Sequence, residues 1–223
     1  MFNWFKKKEK QNNTVIIAIH GFGRRTINEL EPLLEPLNKY EIIRPILFNM
    51  NNDKDYNIND WILRADNAVN TAISNGQKVI LLGFSMGGVI ATHLATKYQV
   101  EKLILLSPAF EYLTVTTATN AITSFFSTKD EGKEIPNNFT QTFTEVVNKY
   151  KGQAENVVCP VLMIHASNDE VIPSSVSSKY YKKIKTNKKY CVILEGGEHR
   201  ILDNKQTNPI TINLIKNFIE NNY

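Results

Sequence analysis

Apolar residues in this chain gather in six short runs rich in β-branched side chains: Thr14–His20, Glu41–Leu47, Lys78–Gly83, Lys102–Ser107, Pro160–His165 and Lys189–Leu194. Within each run the apolar positions are nearly continuous rather than alternating. That is the pattern of a parallel strand covered on both faces, where neither side of the pleat meets water. Between the runs the period changes to that of a helix. Residues 27–39 place Ile27, Leu30, Leu33, Leu34 and Leu37 on one stripe. Residues 58–74 do the same with Ile58, Trp61, Ile62, Ala65, Ala68, Val69, Ala72 and Ile73, and stop at Asn75-Gly76. A helix over 86–98 follows the Gly83–Gly88 turn. A last one runs to about Asn221, with Thr207 or Asn208 as its cap and Pro209 at its first position.

Strands alternating with helices predict an α/β architecture, a doubly wound, mostly parallel sheet of about six strands with helices on both faces. In such sheets ligands meet the loops at the carboxyl ends of the strands, so those loops are where chemistry is sought. One stretch interrupts the rhythm. Residues 110–158 hold no convincing strand, and their length exceeds that of a simple crossover. A crossover helix over Phe139–Tyr150 accounts for part of it. The remainder, at about 110–150, is expected to form a small helical cap over the strand ends, with Leu113, Val115, Ile122, Phe125 and Phe126 as its apolar surface. The competing reading is an elongated crossover with a surface loop at 129–138. Residues 1–13 read as a tail and 14–223 as one domain.

The third run leads into Gly83-Phe84-Ser85-Met86-Gly87-Gly88, a Gly-x-Ser-x-Gly motif between strand and helix. A serine on so sharp a turn projects its hydroxyl above the sheet, and the glycines two positions either side permit the close approach. The helix beginning there points its positive end at charge developing on a substrate. Ser85 is therefore the expected nucleophile. After the first run comes His20-Gly21-Phe22-Gly23. An acyl-transfer oxyanion needs preorganised N–H donors, and the amides of Phe22 and Met86 are the expected pair.

These motifs resemble those of the α/β-hydrolase superfamily, and the chain is most similar to small bacterial carboxylesterases and monoacylglycerol-lipase-like enzymes over residues 14 to about 220. The resemblance implies an α/β-hydrolase fold with a trimmed sheet, since two N-terminal strands usual in those families are missing. The run ending in His165-Ala166-Ser167-Asn168-Asp169-Glu170-Val171-Ile172-Pro173 resembles the family's His-Gly-x-x-Asp-x-x-Val-Pro acid loop, with Ala166 in place of a glycine. Asp169 is in register for the acid; Glu170 and Asp203 are its rivals. Glu195-Gly196-Gly197-Glu198-His199 places His199 where the family has its base, completing the chain order Ser, acid, His. His20 is expected to shape the oxyanion loop, His165 to anchor the acid loop, and His93 to lie on the helix after the nucleophile. Phe22, Phe125 and Phe126 are the expected substrate contacts.

Composition narrows the alternatives. The 42% hydrophobic and 22% charged fractions over 223 residues suit a single globular domain. The net charge of +4 is mild and comes with no stacking or groove-reading motif, so no nucleic-acid partner is expected. Four isolated histidines give no metal pattern, and acyl transfer by a serine needs no cofactor. Cys159 and Cys191 sit in apparent strands and read as free thiols, consistent with a cytoplasmic setting. The N-terminal order of Phe2, Trp4 and Phe5 before Lys6, Lys7 and Lys8 is the reverse of a secretory signal. It offers marginal contact with an anionic membrane surface, and a frayed tail or short docked helix is preferred. Small-molecule esters, of short or medium acyl chains or a monoacylglycerol, are the expected substrates. Thioesterase, amidase or peptidase chemistry by the same residues, and a non-catalytic binding module, are the alternatives. Relatives acting on halides and epoxides carry aspartate at the position of Ser85.

Overall fold

Odd- and even-numbered strand residues part to opposite faces of one sheet, and both faces are buried. The computed structural model describes residues 13–111 and 135–221. Within them, β1 (Thr14–Ile19), β2 (Glu41–Ile43), β3 (Lys78–Phe84), β4 (Lys102–Leu106), β5 (Val161–Ala166) and β6 (Lys189–Leu194) form a parallel sheet in the order β2-β1-β3-β4-β5-β6. Val15, Ile17, Ile19, Leu81, Leu103, Leu105 and Met163 face one core. There they meet helices α1 (Ile58–Ser74), α2 (Met86–Lys97), α3 (Asn137–Tyr150) and α4 (Ser175–Lys183). Ile16, Ala18, Ile80, Leu82, Ile104, Leu106 and Ile164 face the other, under Leu30, Leu33 and Leu37 and the last helix, α5 (Thr207–Glu220). Two covered faces explain why the central strands show no polar alternation.

Trp61 anchors the first core. It is fully buried against Phe22, Phe48 and Phe139, and its indole N–H donates to the Asp55 carbonyl at 2.9 Å. Truncating a buried aromatic of this size costs about 3–5 kcal/mol, so this cluster holds α1 and α3 together above the sheet. Asn57 caps α1 by accepting from the Asn59 amide at 2.8 Å, and the helix stops at Asn75 with Gly76 at φ +74°.

The structure departs from the sequence pattern at the edges. The second strand ends at Ile43, because Pro45 has no N–H to donate to a ladder. The stripe over 27–39 is a 3-10 helix (Thr26–Leu33) and further turns rather than an α-helix. Pro32 and Pro36 remove donors there, and most of the surviving bonds reach three residues back. The α5 cap is not made by Thr207 or Asn208. Asn204 Oδ1 accepts from the main-chain amides of Gln206 and Thr207, while the Thr207 hydroxyl and the Asn208 side-chain amide donate back to the carbonyls of Ile201 and Leu202. Helix α4 has a narrow apolar stripe of Val176 and Tyr180 beside the buried Ser177 and carries no sequence signal of its own. β6 is an edge strand, with Tyr190 and Ile193 partly exposed, so it is not covered on both faces. Cys159 lies buried in the turn before β5 rather than in it; it and the half-buried Cys191 are both free thiols.

The chain runs from β1 outward to β2, then returns to β3 on the other side of β1. This reversal makes the carboxyl ends of β1 and β3 the switch point, where an open α/β sheet forms its crevice. Of the segment expected to form a cap, residues 112–134, with Phe125 and Phe126, lie outside the described residues, as do residues 1–12. The crossover helix is present as α3, with Phe139, Phe143, Val146 and Val147 buried.

Candidate active site

Ser85 joins β3 to α2 with φ 53° and ψ −120°, a conformation that costs an ordinary residue about 1–3 kcal/mol. Its surroundings hold it there. The Ser85 amide donates to the Leu106 carbonyl at 2.9 Å, and its carbonyl accepts from Gly88 at 2.9 Å and Ala109 at 3.1 Å. A Cβ at position 83 would fall inside the carbonyl of Gly87, and one at position 87 inside the carbonyl of Ile19. Both glycines are therefore required by close packing of backbone on backbone. The same packing brings the end of β1 against the elbow. Gly21 lies so close that a Cβ there would be 3.1 Å from that of Ser85.

Three side chains singled out by the sequence converge at this elbow. His199 Nε2 is 3.0 Å from Ser85 Oγ, and His199 Nδ1 is 2.8 Å from Asp169 Oδ2. Ser85 and His199 are buried, and the Asp169 side chain is fully enclosed. With Nδ1–H donating to the carboxylate, Nε2 is left as the acceptor facing the serine hydroxyl. Asp169 is tied down from every side. Its Oδ1 accepts from the amides of Val171 at 2.9 Å and Ile172 at 2.8 Å, and its Oδ2 accepts from His199 and from His165 Nε2 at 2.9 Å. Burial alone would push the carboxyl up. The charge of His199 and the hydrogen bonds from His165 and His199 outweigh it and hold the carboxyl below its ordinary range. The rival acids sit elsewhere: Glu170 accepts from the main-chain amide of His199 at 3.0 Å, and Asp203 pairs with Arg25.

His165 is fully buried between Ser177 Oγ at 2.7 Å and the Ile172 carbonyl at 2.9 Å, so it holds the acid loop against α4. His93 lies on α2 against Tyr150, and burial draws its imidazole below the ordinary histidine range. His20 is enclosed at the end of β1. Its Nδ1–H donates to the Gly21 carbonyl at 2.7 Å and its Nε2 accepts from the Leu47 amide at 3.0 Å. Burial draws this imidazole down to about 4, against the opposing pull of the Gly21 bond, so it stays neutral. The Gly21 carbonyl and the Phe22 N–H belong to one planar peptide. Fixing the carbonyl therefore fixes the direction of the N–H. Met86, opening α2, has an amide with no intrahelical acceptor. The Phe22 ring is fully buried among Phe48, Trp61 and Phe143. Sequence reasoning passed over two buried charges beside this loop, Glu29 and Arg200. Neither lies in a motif, and the ion pair between them joins residues distant in the chain.

A serine on a strained elbow, hydrogen-bonded to an imidazole that a buried carboxylate orients, can support nucleophilic acyl transfer. Among the described residues no group of three His, Cys, Asp or Glu could hold a metal ion, and no helix is long and apolar enough to cross a membrane. Residues 48–223 match the prolyl oligopeptidase family. The chain belongs to that family. It is also 25% identical, over an alignment of 244 positions covering 91% of this chain and 86% of the relative, to the "Putative esterase/lipase 3" of Mycoplasma genitalium. A solved structure from the metagenome-derived lipolytic enzymes LipS and LipT superimposes with a TM-score of 0.78 at 18% identity, covering 95% of both chains. The monoacylglycerol lipase of Paleococcus ferrophilus does so with a TM-score of 0.66 at 16% identity, covering 90% of this chain and 91% of its own. The fold is that of the α/β-hydrolases, and this member of the prolyl oligopeptidase family is a hydrolytic enzyme.

Proposed function

We propose that this enzyme cleaves carboxylic esters of short or medium acyl chains, monoacylglycerols among them, through an acyl-enzyme on Ser85. The observation that carries the reading is the continuous relay Ser85 Oγ, His199, Asp169 at 3.0 and 2.8 Å. Ser85 Oγ attacks the ester carbonyl as its proton passes to His199 Nε2. The tetrahedral oxyanion is held by the Phe22 and Met86 amides and faces the positive end of α2. Collapse breaks the bond to the alcohol, which leaves with the proton from His199. Water then attacks the acyl carbon, giving its proton to His199, and the acid departs as Ser85 regains a hydrogen. Asp169 stays ionised throughout and stabilises the imidazolium.

A second reading, amide or peptide cleavage by the same groups, is favoured by the family to which the chain belongs. A panel of p-nitrophenyl esters from acetate to palmitate, run beside aminoacyl p-nitroanilides, separates the two. Ester turnover with a maximum at short or medium chains and negligible anilide cleavage is expected; the reverse selects the peptidase. Fluorophosphonate labelling that does not map to Ser85 would remove both.

A further inference from the structure

We propose that Glu29, held by Arg200, is a positioning residue that locks the loop carrying the Phe22 amide to the loop carrying His199. The inference rests on the reading of that amide as an oxyanion donor. Glu29 lies in the 3-10 helix after β1 and is 4% exposed. A carboxylate is not left in such a place without partners, since burying it unpaired is prohibitive. Its Oε2 accepts the Gly21 amide at 3.0 Å, and its Oε1 stands 3.7 Å from Arg200 Nη2. Arg200 follows His199 directly and is itself 7% exposed.

The consequence is geometric. Gly21 lacks the side chain that would limit its two torsions, and the peptide after it carries the Phe22 N–H. The Glu29 bond fixes the peptide before Gly21, through its amide. The His20 bond fixes the peptide after it, through its carbonyl. With both planes held, the Phe22 N–H has one direction. Arg200 adds a second service, because an unbalanced carboxylate beside a developing oxyanion would oppose the reaction. The guanidinium offsets that charge while joining the two loops. The Arg25–Asp203 ion pair spans the same two segments nearer the surface. Glu29 touches no reacting atom; it acts through Gly21.

The test compares Glu29→Gln, Arg200→Gln and the double variant with the wild type, reading kcat, KM and affinity for a boronic-acid analogue of the tetrahedral state. Misplacing a catalytic donor by a fraction of an ångström costs on the order of 10-fold to 100-fold. Each single change should lower kcat and analogue affinity together by about 10-fold, with KM within about twofold. The double variant should also lose about 10-fold rather than the ~100-fold of independent effects, because the two side chains form one unit. Unchanged kcat in folded Glu29→Gln, a loss confined to KM, or additive losses would each overturn the proposal. If Glu29→Gln does not fold, Arg200→Lys, which keeps the charge without the fork, must still lower kcat at constant KM. Fluorophosphonate mapping to Ser85 in the wild type tells the failures apart. Labelled Ser85 with Glu29 indifferent sinks the tether alone, and Ser85 unlabelled sinks the functional reading beneath it.

Discussion

The acid loop and the oxyanion loop lie at opposite sides of Ser85 and are built on opposite plans. On the acid side four donors from three directions converge on one carboxylate: the amides of Val171 and Ile172, His199 and His165. On the oxyanion side, among the described residues, each polar group of Gly21 has a single restraint, Glu29 at its amide and His20 at its carbonyl. The first arrangement is redundant and the second is not. Substitutions should therefore hurt the acid loop only when they remove the carboxylate itself, and hurt the oxyanion loop wherever they fall.

The reacting relay sets the upper limit against which both loops are measured. Ser85→Ala and His199→Ala should each lower kcat by about 10⁴-fold or more, with the double variant little worse, since the residues act as one unit. Single-turnover release of p-nitrophenol checks this. Substantial turnover by Ser85→Ala would remove the nucleophile assignment. Asp169→Asn should come next, at about 10³-fold to 10⁴-fold with the fold intact, because an amide cannot hold the imidazole in the correct tautomer. Glu170→Gln, whose side chain accepts from the main-chain amide of His199 and not from its ring, should stay within about threefold. Exchange of these two results would identify the other carboxylate as the acid.

The contrast between the loops also marks what the sequence disclosed. Asp169 and His199 were legible because each lies in the loop after a strand run and keeps its place in a local motif. Ser85 was legible because two glycines are required where backbone packs on backbone. Glu29 and Arg200 were not, since a lone glutamate among leucines and an arginine after a histidine carry no pattern until the fold brings them together. The same rule governs the elements. β1, β3, β4 and β5 are covered on both faces, and their composition says so. The second strand was read too long because its last residues are apolar although Pro45 ends the ladder. Helix α4 was missed because its buried stripe is only Val176, Ser177 and Tyr180. The helical spacing over 27–39 was real, but Pro32 and Pro36 turned it into tighter turns.

His20 offers the sharpest view of the oxyanion side. His20→Ala removes the donor to Gly21 and leaves the buried Leu47 amide without its acceptor, costing about 1–3 kcal/mol of stability. It should lower kcat by about 10-fold to 100-fold through loss of donor alignment. The wild type carries a further signature in its pH dependence. The folded imidazole takes its proton only near 4, whereas the unfolded one takes it near 6.5, so the unfolded state binds more protons between these values. Stability is therefore fully present above 6.5 and declines as pH falls towards 4, by up to about 3 kcal/mol. Urea midpoints from pH 7 to 4 measure this slope, and His20→Gln should reduce it. An equal slope in the variant would place the titration elsewhere.

Of the two buried histidines, His165 should give the smaller effect, and its smallness is what the comparison predicts. His165 is as buried as His20 and also bonds a residue of the site directly, so burial and proximity alone would rank the two alike. The difference lies in what remains after each is removed. Without His20, nothing described holds the Gly21 carbonyl. Without His165, Asp169 still accepts from two amides through Oδ1 and from His199 through Oδ2. The carboxylate then keeps its plane, and the plane orients the imidazole. His165→Gln, which retains an amide donor of similar reach, should lower kcat by no more than about 10-fold, with KM unchanged. Its main cost should be to stability, because Ser177 and the Ile172 carbonyl each lose a partner, at about 1–3 kcal/mol in a thermal or urea melt. A kcat loss approaching that of Asp169→Asn would mean that the two amides do not suffice to orient the acid. The acid loop would then be no more redundant than the loop across from it.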